Sequence, residues 1–189
     1  GAILLDQIDI RKIEKVGLRY VIGLVSQDVF LFAGTLRDNI TLFNPLFNAK
    51  VLVTIEALGL MPFIDRMPRG LDMEIAERGA NLSVGERQFI SLSRIILYDP
   101  RVIILDEATS NMDPISEVLI QHAIQKVTQD RTSIFIAHRL STILHCDKII
   151  VLNKGEKVEE GSHEALLRLG GLYSQLYKVY MKEELIGHG

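Results

Sequence analysis

The pattern of apolar and polar positions divides this 189-residue chain into three parts. Residues 1–40 contain short apolar runs over 2–5 and 20–25, with a turn around 6–9, and therefore predict short strands. The next part has a helical period that is interrupted by prolines and glycines at positions 45, 59, 62, 68 and 70. This pattern predicts a mostly helical subdomain over residues 45–100.

From residue 101 onward, apolar runs alternate with helical patterns. Strands are predicted over 102–105, 133–137, 148–152 and 156–159, and helices over 114–127 and 142–145. The uninterrupted runs VIIL and IFIA are typical of strands that are buried on both faces in a parallel sheet covered by helices. The last stretch, 164–181, is amphipathic and predicts a helix packed on its own domain. The chain is therefore expected to be an α/β protein.

Composition and charge exclude several classes of protein. The hydrophobic fraction of 48% is enough for the core of one domain. With 21 Lys and Arg against 24 Asp and Glu, the formal charge is −3, so the basic excess of a non-specific nucleic-acid binder is absent. The single cysteine, Cys146, excludes an intrachain disulfide and fits a reducing compartment. We therefore expect no nucleic-acid partner.

No apolar run approaches the ~18 residues that a membrane-spanning helix needs. The best candidate, residues 51–64, is interrupted by Thr54, Glu56, Gly59 and Pro62. The first residues, GAILLDQIDI, contain neither an initiator methionine nor a leader sequence. We expect the chain to be a piece of a longer protein.

An adjacent pair of carboxylates, Asp106 and Glu107, follows the apolar run VIIL. A strand that ends in this way places both acids at the carboxyl edge of a sheet, where α/β folds bind ligands. Neighbouring side chains on a strand diverge, so the two acids are expected to have different roles. One can hold Mg²⁺, and the other can orient or deprotonate an attacking water.

A helix start precedes this strand. Ser83 is followed three residues later by Glu86, which matches a capping box and predicts a helix that begins at Val84. Phe89, together with Leu92, Ile96 and Leu97, then falls on one face of that helix. A capped helix start with a hydroxyl and a glycine amide is suited to binding an anion.

Six segments, in order, resemble motifs of the nucleotide-binding domain of ATP-binding cassette (ABC) exporters. By this resemblance, Gln27 in GLVSQDVFLFAGTLRDNI corresponds to the glutamine that senses the metal and the γ-phosphate. The segment 77–79, Glu-Arg-Gly, resembles the X-loop, which contacts the membrane domain. The segment 83–88 resembles the signature motif, and the residues that it offers to the nucleotide are Ser83, Val84, Gly85 and Glu86.

The remaining motifs lie further along the chain. Asp106 resembles the Walker B aspartate, which helps to hold Mg²⁺, and Glu107 resembles the catalytic glutamate. Asp113, in SNMD, corresponds to the aspartate of the D-loop, and His138, in IFIAHRLST, to the switch histidine on the γ-phosphate. The resemblance implies a P-loop NTPase (RecA-like) core with a mainly parallel sheet over 1–44 and 101–189, and an inserted helical signature subdomain over 45–100.

The sequence departs from the family pattern at a few positions. The signature motif usually has glycine where Val84 stands and glutamine where Glu86 stands. Glu86 brings a carboxylate close to a site for phosphate, which is unfavourable unless its capping role or Arg87 turns it away. Asn111 and Met112 replace a commoner Ala-Leu pair.

The 189 residues contain no Gly-Lys-Ser/Thr loop, which in this family (Walker A) supplies most of the phosphate cradle. The resemblance implies that the Walker A strand and helix precede Gly1. In the family fold, that strand lies between the strands represented here by 133–137 and 148–152. We therefore expect this chain by itself to be inactive as an ATPase.

The resemblance implies a function and its partners. ATP and Mg²⁺ would be the cofactors, and two nucleotide-binding domains would pair head to tail around two ATP molecules. The other partner would be the transmembrane domain of an exporter, which places the chain at the cytoplasmic face of a membrane. Two alternatives stay open: a non-hydrolytic partner or regulatory module that lost its ATP cradle, and an ABC ATPase of the DNA-repair kind without a transport role.

Overall fold

The computed structural model describes residues 1–26, 28–106, 112–136 and 143–187, and for residues 182–187 it describes the backbone alone. The chain divides into two compact units, Gly1–Ile136 and Ala137–Gly189. The division predicted from the sequence, a helical subdomain over 45–100 within an α/β core, stays a prediction.

The first unit contains short strands and helices in alternation. Its strands are β1 (Leu4–Leu5), β2 (Ile8–Asp9), β3 (Ile22–Val25), β4 (Gly34–Thr35), β5 (Glu74–Ile75), β6 (Val102–Asp106) and β7 (Thr132–Ile136). Its α-helices are α1 (Lys15–Val21), α2 (Leu36–Thr41), α3 (Val51–Leu58), α4 (Met61–Arg66), α5 (Val84–Tyr98) and α6 (Pro114–Thr128). Short 3₁₀ helices cover Ile10–Lys12, Pro45–Lys50, Gly70–Asp72 and Glu77–Gly79.

The central feature of this unit is a parallel sheet in the order β3-β6-β7. Leu105 lies opposite Val25 on one side and Phe135 on the other. The parallel arrangement inferred from the apolar runs is therefore confirmed. The C-terminal ends of β3 and β6 are next to each other in the sheet, and they precede Gln27 and Glu107.

The two faces of this sheet differ in burial. Val25, Ile103 and Leu105 are fully or almost fully buried on one face, whereas Leu24 and Ile134 on the other are at least half exposed. The expectation that these strands are buried on both faces is therefore wrong for this chain. The runs VIIL and IFIA have the sequence of a covered sheet, but Leu24 and Ile134 on the second face are exposed.

Helix α5 forms the middle of the core. Phe89, Ile90 and Leu92 are completely buried, and the ring of Phe89 stacks on that of Phe63 in α4 at a centroid distance of 5.2 Å. Its buried residues also include Gly85, Ser93, Ile95 and Leu97, so the helix is enclosed along most of its length. Helices α2, α3, α6 and strand β3 all pack against it.

One element of the first unit differs from the sequence prediction. Residues 20 and 21 belong to α1 and not to the strand predicted over 20–25, because the helix ends only where the N–H of Ile22 donates to the carbonyl of Leu18. The apolar run therefore supplies the end of a helix and then strand β3. The context of the fold overrides the β-propensity of Tyr20 and Val21.

The second unit is a hairpin followed by two helices. Strands β8 (Ile149–Asn153) and β9 (Glu156–Gly161) pair antiparallel, and helices α7 (His163–Leu169) and α8 (Leu172–Gly187) follow. Its core consists of Ile149, Val151, Leu166 and Tyr173.

The helical predictions for this unit need correction. The single helix predicted over 164–181 is two helices, because Gly170 ends α7 in the left-handed conformation (φ 69°). The carboxylate of Glu159 then accepts hydrogen bonds from the N–H groups of Leu172 and Tyr173, which start α8. The helix predicted over 142–145 falls partly outside the described residues, and residues 144–145 form a turn. Across the described residues, no helix combines the length and the apolar composition that a membrane crossing requires.

Candidate functional site

The predicted site residues fall into two groups. Gln27, Glu107 and His138 lie outside the described residues, so their roles stay predictions. The described group consists of Ser83, Val84, Gly85, Glu86, Asp106 and Asp113. All of this second group belongs to the first unit, at the starts of α5 and α6 and at the end of β6.

The start of α5 has the capping box that the sequence predicts. Ser83 is the N-cap residue, and its hydroxyl accepts a hydrogen bond from the N–H of Glu86 at 3.2 Å. In return, the Glu86 carboxylate accepts from the N–H of Ser83 at 2.7 Å. The helix then runs for 15 residues from Val84. The predicted helix start is confirmed.

The capping box also explains why an acidic residue is tolerated in the signature motif. The Glu86 carboxylate is held on the N–H of Ser83, and a negative charge in the first turn of a helix is favoured by the helix dipole. Arg87 makes a separate bond from its guanidinium to the carbonyl of Leu82 at 2.6 Å. The capping box uses the N–H groups of Ser83 and Glu86, and it leaves those of Val84 and Gly85 for another acceptor.

Asp106 is the last residue of β6 and its side chain is half-buried at the carboxyl end of the parallel sheet. A single carboxylate beside phosphate and water oxygens is a common way of binding Mg²⁺. Within the described ranges, no group of three His, Cys, Asp or Glu side chains could form a metal site by itself. Asp106 therefore fits Mg²⁺ as one ligand that has to be completed by oxygens of the nucleotide or water.

The start of α6 carries the second acidic group. Asp113 is the N-cap residue, Pro114 is the first helical residue, and Asp113 accepts a hydrogen bond from the N–H of Ser116 at 3.0 Å. The Ser116 hydroxyl and then its N–H hold the pKa of Asp113 below the usual range. This carboxylate is therefore ionised at neutral pH. Its neighbour Ser116 is buried and packs against Gly85, so the two helix starts are in contact.

Two polar residues of α5, to which the sequence motifs assign no individual role, tie this helix to the segment around Gln27. The side-chain amide of Gln88 donates to the carbonyl of Ser26 at 3.0 Å, and the guanidinium of Arg94 donates to the carbonyl of Phe30 at 2.9 Å. Arg94 also donates to the carbonyl of Asn39 at 2.8 Å. Burial lowers the pKa of Arg94 to about 10, so it stays charged at neutral pH. Helix α5 thus holds the backbone on both sides of position 27.

The sequence contains a signal for both residues. Gln88 and Arg94 interrupt the apolar helix QFISLSRIIL, and a buried polar side chain in such a helix needs a partner. The partners themselves are 62 and 64 positions away in the chain, so the sequence pattern does not identify them.

The segment Glu77–Gly79 packs against the same two elements. Arg78 has a left-handed backbone (φ 58°, ψ 17°), and Gly79 follows with φ 68°. A Cβ atom at Gly79 would lie 2.5 Å from Leu31 and 3.5 Å from Arg87. The turn is therefore in close contact with the chain that follows Gln27 and with the first turn of α5.

Comparisons with known proteins agree with this arrangement. The family model described as ABC transporter matches residues 1–110. The chain is 44% identical over 179 residues to "Uncharacterized ABC transporter ATP-binding protein YfiC" of Bacillus subtilis (strain 168), covering 94% of this chain and 30% of the relative. It is 43% identical over 188 residues to the "ATP-dependent lipid A-core flippase" of Syntrophus aciditrophicus (strain SB), covering 99% of this chain and 31% of the relative.

A solved structure is similar in fold. "Structure of a bacterial Atm1-family ABC exporter with ATP bound" has a TM-score of 0.85 and 39% sequence identity, and the match covers 94% of this chain and 31% of that chain. The predicted fold class, a P-loop NTPase core with a mainly parallel sheet, is thereby confirmed. The chain spans about 30% of the length of the curated relatives that it matches.

Proposed function

Because this chain belongs to the ABC transporter family, we propose that it is the ATP-binding and ATP-hydrolysing part of an exporter. It would couple ATP hydrolysis in a head-to-tail dimer to movement of a transmembrane domain. The similarity of this chain to an ATP-dependent flippase and to an ABC exporter with ATP bound supports this proposal.

The observation that carries the proposal is the start of α5. Its capping box fixes the Ser83 hydroxyl and the Glu86 carboxylate at the helix end, and it leaves the N–H groups of Val84 and Gly85 for an acceptor. Such N–H groups at the positive end of a helix dipole bind phosphate. In the proposed dimer, they meet the γ-phosphate of the ATP that the other domain binds.

The remaining roles follow the order of the motifs. Glu107 would hold and deprotonate the attacking water, and Gln27 and His138 would position the γ-phosphate. Asp106 would be the protein ligand of Mg²⁺, which on binding neutralises charge on the phosphates. Asp113 would act at the nucleotide site from the start of α6.

We propose that coupling to a membrane domain runs through the hydrogen bonds that Gln88 and Arg94 make on either side of position 27. Gln88 and Arg94 attach the residues on both sides of Gln27 to the helix that Ser83 caps. The turn at Gly79 packs against both elements. A movement of the start of α5 upon nucleotide binding would thus be passed to segment 77–79. By its resemblance to the X-loop, this segment would contact the membrane domain at the cytoplasmic side.

The test is steady-state ATP hydrolysis by the intact protein that contains this chain, with the Glu107→Gln variant as the matched control. We expect hydrolysis by the unaltered protein and its loss in the variant. Tight ATP binding without hydrolysis would favour the non-hydrolytic module. Hydrolysis that is stimulated by DNA ends, and not by candidate transport substrates, would favour the non-transport ATPase.

A further inference from the structure

The first turns of α5 and α6 touch at a glycine. Gly85, the second residue of α5, is buried, and a Cβ atom built on it would lie 2.7 Å from Cβ and 3.0 Å from Oγ of Ser116. Protein Cβ atoms essentially never approach another atom more closely than 3.0 Å. The glycine is not needed for its backbone, because position 85 lies in regular helix. It is needed because Ser116 fills the space of its side chain.

A second residue lies close to the same position at Gly85. The ring of Phe63 would be 3.6 Å from the same Cβ atom, which is an ordinary contact distance. Phe63 is almost completely buried and stacks on Phe89 of α5. A side chain at position 85 would therefore also contact a packed aromatic pair.

Ser116 is in turn bound to the N-cap of its own helix. Its N–H donates to the Asp113 carboxylate at 3.0 Å, and the residue is only 3% exposed. The contact thus joins two short assemblies, Ser83 with Gly85 and Asp113 with Ser116. The proposed function assigns Ser83 and Gly85 of the first assembly, and Asp113 of the second, to the nucleotide.

We propose that Ser116 is a positioning residue that fixes the start of α5, with Ser83 and Gly85, against the start of α6, with Asp113. The inference rests on the proposed function, since it assumes that both helix starts act on nucleotide. The contact also joins a residue of the predicted helical subdomain to one of the predicted α/β core. Both helix starts would therefore reach the nucleotide as one rigid unit.

The test is a rescue experiment in the intact protein. In Gly85→Ala, the new Cβ atom would lie 2.7 Å from the Cβ atom of Ser116, and the two helix starts must shift until this distance reaches at least the 3.4 Å of an ordinary contact. We expect kcat for ATP hydrolysis to fall roughly 10–100-fold, the usual effect of a displacement of up to ~1 Å at an active site. The affinity of the resting protein for ATP should stay within about twofold, because cradle contacts of the nucleotide are unchanged.

Two double variants separate the atoms involved. Gly85→Ala with Ser116→Gly removes the opposing Cβ and should restore kcat to within about threefold of the Ser116→Gly single variant. Gly85→Ala with Ser116→Ala keeps that Cβ and should stay impaired. Gly17→Ala is the matched control, because Gly17 lies in α1 with no atom within 4 Å of its Cβ position, and it should leave kcat unchanged.

Several results would overturn the proposal. Wild-type kcat in Gly85→Ala would do so, as would equal rescue by Ser116→Ala and Ser116→Gly. If Gly85→Ala does not fold, the addition of Ser116→Gly must restore both folding and turnover. Failure of this double variant to regain them contradicts the inference. A loss of kcat that only follows the loss of folded protein would indicate a purely structural contact. Failure of the proposed function is seen separately, as unchanged hydrolysis in Glu107→Gln.

Discussion

The side-chain amide of Gln88 donates a hydrogen bond to the carbonyl of Ser26 at 3.0 Å, and this bond links helix α5 to the end of strand β3. The two residues are 62 positions apart in the chain. Ser26 directly precedes Gln27, and Gln88 lies about one turn inside the helix that Ser83 caps. The start of α5 and the segment at Gln27 are therefore parts of one hydrogen-bonded structure.

This bond leads to the first prediction. Gln88→Leu keeps the volume of the side chain but leaves the carbonyl of Ser26 without its donor, at a cost of about 1–3 kcal/mol for a buried group. We expect faster hydrogen exchange in residues 26–30 and a lower kcat for ATP hydrolysis, with little change in ATP affinity. Gln121→Leu is the control, because Gln121 bonds only across the helix surface to Glu117 at 3.1 Å. Unchanged exchange at 26–30 in Gln88→Leu would contradict the linkage.

How much of this site could be predicted depends on the distance between partners in the sequence. The capping box joins residues three positions apart, so its sequence alone placed the start of α5. The run VIIL likewise predicted a strand over 102–105, and the structure contains β6 over Val102–Asp106. The bonds from Gln88 and Arg94, and the contact between Gly85 and Ser116, join distant segments, and only the folded chain shows them.

Three features of the structure differ from the sequence predictions, and each difference has a local cause. The helical state of residues 20 and 21 depends on packing against the rest of the unit, which β-propensity does not include. The break between α7 and α8 had a visible signal in the pair Gly170-Gly171, because glycine readily adopts the left-handed conformation that ends a helix. The exposed face with Leu24 and Ile134 was missed because an apolar run does not tell which of its faces is covered.

Glu86 is predicted to stabilise the start of α5 as part of the capping box. Glu86→Ala removes the acceptor of the Ser83 N–H, and we expect protection of the first-turn amides of α5 against hydrogen exchange to fall by about 0.5–1.5 kcal/mol. Glu86→Gln keeps an acceptor oxygen and should stay close to the unaltered protein. Glu164→Ala is the matched control, since Glu164 lies in the first turn of α7 where the third helical residue is Ala165. If Glu86→Ala, Glu86→Gln and Glu164→Ala all caused the same loss of protection, a special capping role of Glu86 would be excluded.

Ser83 is predicted to serve the nucleotide of the partner domain. Ser83→Arg should leave ATP binding to a single domain intact and abolish ATP-driven dimerisation, because a long cation would block the approach of the two domains. Gel filtration with ATP, in a Glu107→Gln background that prevents hydrolysis, measures the dimer fraction. Ser162→Arg replaces another exposed N-cap serine, at α7, and should not affect dimerisation. An unchanged dimer in Ser83→Arg would refute the trans arrangement.

Glu107 is predicted to be the general base. Glu107→Gln should keep ATP binding and reduce the rate of hydrolysis by roughly 10²–10⁴-fold, which is the usual contribution of a positioned base. The prediction follows from its place directly after Asp106, the last residue of β6. Single-turnover hydrolysis is the measurement, because it separates the chemical step from product release. The matched variant Glu117→Gln, on α6, should hydrolyse ATP at the unaltered rate. Near-normal single-turnover rates in Glu107→Gln would assign the base to another residue.

The 189-residue chain by itself is predicted to bind ATP weakly. Its sequence contains no Gly-Lys-Ser/Thr loop, and charge-assisted contacts of the kind that such a loop makes to phosphate contribute about 1.5–3 kcal/mol each. Without about three of them, a micromolar dissociation constant would become millimolar or weaker, at tenfold per ~1.4 kcal/mol. The Val84 and Gly85 amides cannot compensate, because in the proposed dimer they serve the other domain's nucleotide.

Isothermal titration of the 189-residue chain with Mg-ATP is the measurement. A thermal melt with and without ATP is the independent check, since a ligand that binds the folded state raises its melting temperature. Micromolar affinity together with an upward shift of the melt would show that residues within this chain form a phosphate cradle of their own.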